Sequence, residues 1–122
     1  MKKKVILCPN PYRDRNFQTM RNAMQILRNA GIQPKLCLPF EVDRNYELPK
    51  DLRFSRLDRE LPNAELVICF GGDGTILHTA KAATRRGIPL LGVNNGTMGG
   101  FVFHSLQVKI KHNHTATIFI NK

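Results

Sequence analysis

An α/β fold, an open parallel sheet with helices on both faces, is what this sequence predicts, and three observations predict it. Short apolar runs of strand character ("KKVILCP", "IQPKLCLP", "AELVICF", "IPLLGV") alternate with stretches of helical periodicity. The connections are short, and two strand–helix–strand units follow one another, which calls for right-handed crossovers and parallel strands. Glycine-rich segments, at 71–74 and 95–100, follow the third and fourth apolar runs.

Taken in order, "KKVILCP" gives the first strand, which "PNPYRD" cannot continue. Asn16 is a candidate N-cap for the next helix, with Asp14 as the alternative. Phe17, Met20, Ala23, Met24, Leu27 and Ala30 recur at three- and four-residue steps and define one buried helical face. Arg21, Gln25 and Arg28 fall elsewhere on the wheel, and Gly31 supplies the stop. "IQPKLCLP" is a second strand, weakened by Pro34. Mixed-sign charges fill 41–63, read as a loop and then a short polar helix around Leu52 to Leu61. "AELVICF" is a buried strand with its charge at the entrance. A helix from about Thr75 to Arg86 follows, carrying Ile76, Leu77, Ala80 and Ala83 and ending at Gly87 with basic residues in its last turn. "IPLLGV" is the next strand, and no internal repeat is present. The unit is an open, Rossmann-like sheet whose ligands bind beyond the carboxyl ends of the strands. Both glycine-rich loops leave at that edge and should line one cleft.

Composition narrows the function classes. A chain of 122 residues has room for one core, and 42% hydrophobic with 23% charged residues is ordinary globular usage. No apolar run approaches the roughly 20 residues that span a bilayer, so no membrane partner is expected. The apolar run after the opening lysines is too short for a secretory signal, and a cytoplasmic protein is the expectation. Cys8, Cys37 and Cys69 are too scattered for a zinc site or a redox pair, and read as small buried hydrophobes in a reducing compartment. The net charge of +10, with no Asp or Glu after Asp73, suits polyanions. Helix-turn-helix, zinc-finger and base-stacking aromatic patterns are all missing. That favours nucleotide phosphates over nucleic acid, with most of the lysines simply solvated.

The chemistry concentrates at "CFGGDGTILHT", residues 69–79. Gly71 and Gly72 leave room for a phosphate to approach the main chain, and the amides of the next turn form a helix start that favours anions. Thr75 adds a hydroxyl donor. Asp73 is the complication, because a carboxylate beside a phosphate is repelled unless it serves a further purpose. Three readings stand: a base for an attacking hydroxyl, a partner of the Mg²⁺ that accompanies a nucleoside triphosphate, or a cap on a helix starting at Thr75. The loop is neither GxxxxGK[ST] nor GxGxxG.

"GGDGT" at 71–75, followed by "PLLGVNNGTMG" at 89–99, resembles the NAD kinase family, and "PNPYRD" with the helix after it is similar to the starts of bacterial members. The first motif is shared with diacylglycerol and other lipid kinases and with 6-phosphofructokinases. The Val-Asn-x-Gly run at 93–96 discriminates, since lipid kinases tend to carry a PxGTGN-type loop there. The resemblance spans residues 1–99 and implies phosphoryl transfer from ATP, or polyphosphate in some members, to the 2′-hydroxyl of the adenosine ribose of NAD, giving NADP. It implies Asp73 as the base and Asp73, Gly74 and His78 as NAD contacts. On residue type alone, His78 would be a half-exposed polar side chain. Gly71, Gly72, Thr75, Asn94 and Gly96 are implied for the phosphate side of the cleft. Mg²⁺ would travel with the nucleotide, no protein metal site is expected, and family members are commonly homo-oligomeric.

After residue 99 the family pattern stops. Gly100 stands where an aromatic is usual, and the expectation is that the second, mostly β domain of family members is missing. The expectation is an N-terminal domain over 1–99 and a divergent tail over 100–122, aberrant in origin or poorly ordered. "VKIKHNHTATIFI" alternates as a strand would, with His112 and His114 on one face, but no metal site is inferred from that pair. The alternatives are a non-catalytic nucleotide-binding fragment and a lipid-kinase-like protein.

Overall fold

The computed structural model describes residues 4–94, 97–98, 101–109 and 115–121. The four apolar runs become β1 (Val5–Pro9), β2 (Lys35–Leu38), β4 (Leu66–Gly71) and β5 (Leu90–Asn94), with a two-residue strand, β3 (Ser55–Arg56), between the second and third. They lie side by side in the order β3-β2-β1-β4-β5, every neighbouring pair parallel. The residues of β1 are buried throughout, as expected of a strand covered on both faces.

Alternate residues of each strand serve opposite cores. On one face Val5, Leu7, Leu36, Ile68 and Phe70 pack with Phe17, Met20 and Met24, at and within α1 (Gln18–Asn29). On the other, Ile6, Cys8, Cys37, Val67, Cys69 and Leu90 meet α2 (Leu57–Glu60) and α3 (Asp73–Arg85) through Leu57, Ile76 and Ala83. This is the open, Rossmann-like α/β sheet that the sequence predicts. The three cysteines are free and buried, with Cys8 paired in register to Cys69. A hydrogen bond with Cys69, together with burial, holds the Cys8 thiol well above the usual range, and burial pushes that of Cys37 to about 12.

Several local expectations are corrected. Asp14, not Asn16, supplies the cap of α1: its carboxylate accepts the Thr19 N–H at 3.0 Å and the Met20 N–H at 3.1 Å. Asn16 and Phe17 both sit at positive φ, in a turn wound between that carboxylate and the helix, and Ala30 is exposed beyond the helix end. The helix expected over Leu52 to Leu61 shrinks to α2. Leu52 belongs to the core on the α1 face, whereas Leu57 and Leu61 belong to the opposite core. One helix cannot bury residues on both sides of a sheet, so the chain rounds the edge as β3 instead. Within α3 the buried stripe is Ile76, Thr79 and Ala83, and Leu77 is 59% exposed. Thr79 holds the inward place because its hydroxyl accepts from the Cys69 thiol at 3.4 Å.

Beyond β5, the backbone forms β6 (Thr97–Met98), β7 (Phe101–Lys109) and β8 (Thr115–Asn121). β7 runs antiparallel to β5, and both β6 and β8 run antiparallel to β7. The single strand expected across 108–120 is thus divided between β7 and β8, and His112 and His114 lie outside the described residues. Among the described residues no helix is long and apolar enough to cross a membrane.

Replacing Asp14 with Ala removes both acceptors from the start of α1. The expected outcome is a loss of about 2 kcal/mol of stability in urea denaturation, partly restored by Asp14→Asn.

Candidate functional site: a glycine elbow at the carboxyl edge

The registers of β1, β4 and β5 bring their ends to one line. β1 pairs with β4 from Val5↔Leu66 to Pro9↔Phe70, and β4 pairs with β5 from Val67↔Leu90 to Gly71↔Asn94. Asn94 therefore lies beside Gly71, and the segments that follow the two strands start from the same edge. Gly96 lies outside the described residues.

Gly71 turns the chain out of β4 with φ at 155°, and a Cβ there would lie 3.2 Å from the Cβ atoms of both Asn10 and Thr75. Only glycine meets the torsion and the space together. Gly72, extended at φ −86° and ψ 177°, is the N-cap of α3, and its carbonyl accepts the Ile76 N–H at 3.0 Å. Asp73 is consequently the first residue of the helix, two positions earlier than the sequence suggested. The reading of Asp73 as the cap of a helix starting at Thr75 is thereby removed. The backbone N–H groups of Asp73, Gly74 and Thr75 fall in the first turn, where an α-helix offers no internal acceptor. Gly74 is exposed, and a Cβ there would meet nothing within 4 Å. Inside a helix glycine costs about 0.5–1 kcal/mol relative to alanine, so the protein's own packing gives no reason for glycine here.

Asn10 was not singled out by the sequence reading, yet it holds the elbow. It is 7% exposed, its N–H donates to the Phe70 carbonyl at 3.0 Å, and its Oδ1 accepts the Tyr12 N–H at 2.9 Å. That last bond turns Nδ2 toward Thr75, whose Oγ1 accepts from it at 2.9 Å. Because the Thr75 oxygen accepts, its own proton stays free to donate outward. The available signal was an Asn between two prolines at a strand's end, where its side chain can replace a missing backbone turn.

Arg13, also missed, follows in the same turn. It is exposed, and a Cβ on Gly72 would lie 3.3 Å from its Cζ. Tyr12 stacks on Phe40 with centroids 5.8 Å apart and meets the edge of Tyr46 at 5.2 Å. His78 stands apart from the elbow's first turn. It is exposed on α3 and borders a cavity of about 530 Å³ whose walls include Leu38, Phe40, Phe54, Leu57 and Ala82.

A glycine turn leading into first-turn amides, at the carboxyl edge of a parallel sheet, is common to many nucleotide-binding folds. The family is decided by the sequence that builds it: the pattern of the ATP-NAD kinase N-terminal domain matches residues 5–104. The chain belongs to the NAD kinase family. NAD kinase from Mycolicibacterium paratuberculosis is 32% identical over 105 residues, covering 78% of this chain and 34% of that protein. NAD kinase from Haemophilus influenzae is 33% identical over 97 residues, covering 80% and 33%. Over a shorter stretch of 37 residues, covering 30% of this chain and 13% of the relative, identity to the Ruminiclostridium cellulolyticum NAD kinase reaches 54%. The chain spans about a third of the length of the first two of these NAD kinases. The match also runs into β7, past the boundary expected at residue 99.

The vacant space at Gly74 has a direct test. Gly74→Ala should leave the urea midpoint unchanged or raise it, by up to about 1 kcal/mol in stability, since alanine is the better helix former. The same substitution should weaken binding of inorganic tripolyphosphate measured by calorimetry, because the methyl group crowds the approach to the first-turn amides.

Proposed function

We propose that this chain provides the catalytic elbow of an NAD kinase, which transfers a phosphoryl group from ATP to the 2′-hydroxyl of the adenosine ribose of NAD. The observation that carries the reading is the exposed Gly74, with open space where a side chain would stand, in the first turn of α3 after a cap without a side chain. Family membership supplies the substrates. In this reading the first-turn amides and the Thr75 hydroxyl hold phosphate oxygens, Gly74 and His78 contact NAD, and Asn94 and Gly96 border the phosphates. Asp73 accepts the 2′-hydroxyl proton as the new O–P bond forms, while the bond from the γ-phosphorus to the bridging oxygen breaks and ADP leaves. A ribose hydroxyl is a very weak acid, and a positioned base accelerates such a transfer typically 10²–10⁴-fold. Mg²⁺ enters as part of the MgATP substrate, neutralising phosphate charge. Among the described residues no group of three or more His, Cys, Asp or Glu side chains could hold it independently. The reaction is placed in the cytoplasm.

The test is NADP formation by the chain supplied with NAD, ATP and Mg²⁺, alongside calorimetric binding of each nucleotide. Asp73→Asn should retain ATP binding and lose turnover by about 10²–10⁴-fold. Binding with no turnover by the native chain would favour a non-catalytic nucleotide-binding unit. Phosphorylation of diacylglycerol and not NAD would favour a lipid kinase, and failure to bind any nucleotide would overturn the reading.

A further inference from the structure

We propose that Arg13 is a phosphate-binding residue of this site, its guanidinium gripping consecutive phosphates of the phosphoryl donor. The proposal rests on the nucleotide-binding reading above and adds to it a residue from a different part of the chain. Arg13 is held in place at the backbone: its N–H and that of Asp14 both donate to the Asn10 carbonyl, at 3.1 and 3.0 Å. Asn10 is tied to Phe70 and Thr75, and the Asp14 carboxylate is tied to the start of α1. The turn carrying Arg13 therefore has a fixed position relative to the elbow.

The side chain uses that position in a specific way. A Cβ on Gly72 would be 3.3 Å from Cζ, 3.4 Å from Nη1 and 3.6 Å from Nε of Arg13. Near-equal distances to three atoms of one plane mean that the face of the guanidinium, and not its edge, lies over the glycine. The N–H donors lie in that plane, so their fork stays free. Arg21 pairs with Asp51, Arg56 with Asp58, and Arg28 with Gln33, while Arg44, Arg53, Arg59, Arg85 and Arg86 reach into solvent; Arg13 differs from these in lying against the elbow. The Arg13 guanidinium has no hydrogen-bond or ion-pair partner among the described residues. An unpaired cation beside the positive end of α3 is electrostatically unfavourable until an anion arrives. The guanidinium fork matches two phosphate oxygens at once, which an ammonium cannot do. Gly72 thus has a reason distinct from that of Gly71, since its missing side chain is the seat of the arginine.

The experiment measures binding of inorganic tripolyphosphate, MgATP and NAD to the whole chain by calorimetry. Arg13→Ala should weaken tripolyphosphate and ATP about tenfold, as expected for a charge-assisted bidentate contact, and leave NAD unchanged. Arg13→Lys should recover only part of the loss. Gly72→Ala, whose backbone angles suit alanine, puts a methyl group 3.3 Å from Cζ and asks the guanidinium to shift by a few tenths of an ångström, so it should weaken both polyanions by less than Arg13→Ala does. Arg28→Ala should bind like the native chain, and urea midpoints check that each variant is folded. Native binding of tripolyphosphate and ATP by Arg13→Ala would overturn this inference and leave the nucleotide-binding reading intact. Loss of NAD binding alone would also overturn it, assigning Arg13 to the acceptor's pyrophosphate. A native chain that binds neither polyanion would remove both proposals.

Discussion

The register of β1 on β4 is the constraint on which the site depends. Because Pro9 pairs with Phe70, Asn10 emerges beside Gly71, and one buried amide can reach across to Thr75. A slip of β1 by one residue would send Cys8 to the opposite core and carry Asn10 away from α3. Such a slip is opposed by the packing of both faces, where Ile6, Cys8, Val67 and Cys69 serve one core and Leu7, Ile68 and Phe70 the other. The apolar core, far from any ligand, therefore sets the position of the polar elbow.

Glycine does three different jobs within four residues of that elbow. At Gly71 both the torsion and the approach of Asn10 and Thr75 exclude a side chain; at Gly72 the excluded volume belongs to Arg13; at Gly74 there is only open space. The first is a demand of the fold; the second concerns only the guanidinium, and the third nothing within the protein. Asn10 adds rigidity because each of its side-chain polar groups is bonded, and a buried polar group left unpaired costs about 1–3 kcal/mol. The basic balance of the chain acquires a local meaning here, in one guanidinium that has no partner among the described residues and lies beside an anion-seeking turn.

The sheet was legible because parallel strands covered on both faces read as continuous apolar runs, and "VILCP" and "LVICF" admit little else. The glycine elbow was legible as a motif, and its helix began two residues early because Gly72 can cap through its backbone alone. What the sequence hid were contacts between segments distant in the chain. The bond from Asn10 to Thr75 spans 65 positions, and nothing in "PNPYRD" by itself pairs Arg13 with Gly72. Which residues of α3 face inward was also hidden, since a thiol facing the helix gives Thr79 a buried partner while Leu77 stays exposed. The charged stretch before β4 was misread as one helix because its leucines divide between two cores that only the folded sheet separates.

The most direct measurement is a ¹⁵N NMR titration of the chain with MgATP, following every backbone amide. The account predicts that shifts concentrate at Asn10, Tyr12 and Arg13 and at Gly71 through Ile76, while Glu65 and Ile88, at the opposite edge of the sheet, stay still. Shifts centred on that opposite edge, or saturating ATP with no response at the elbow, would contradict it.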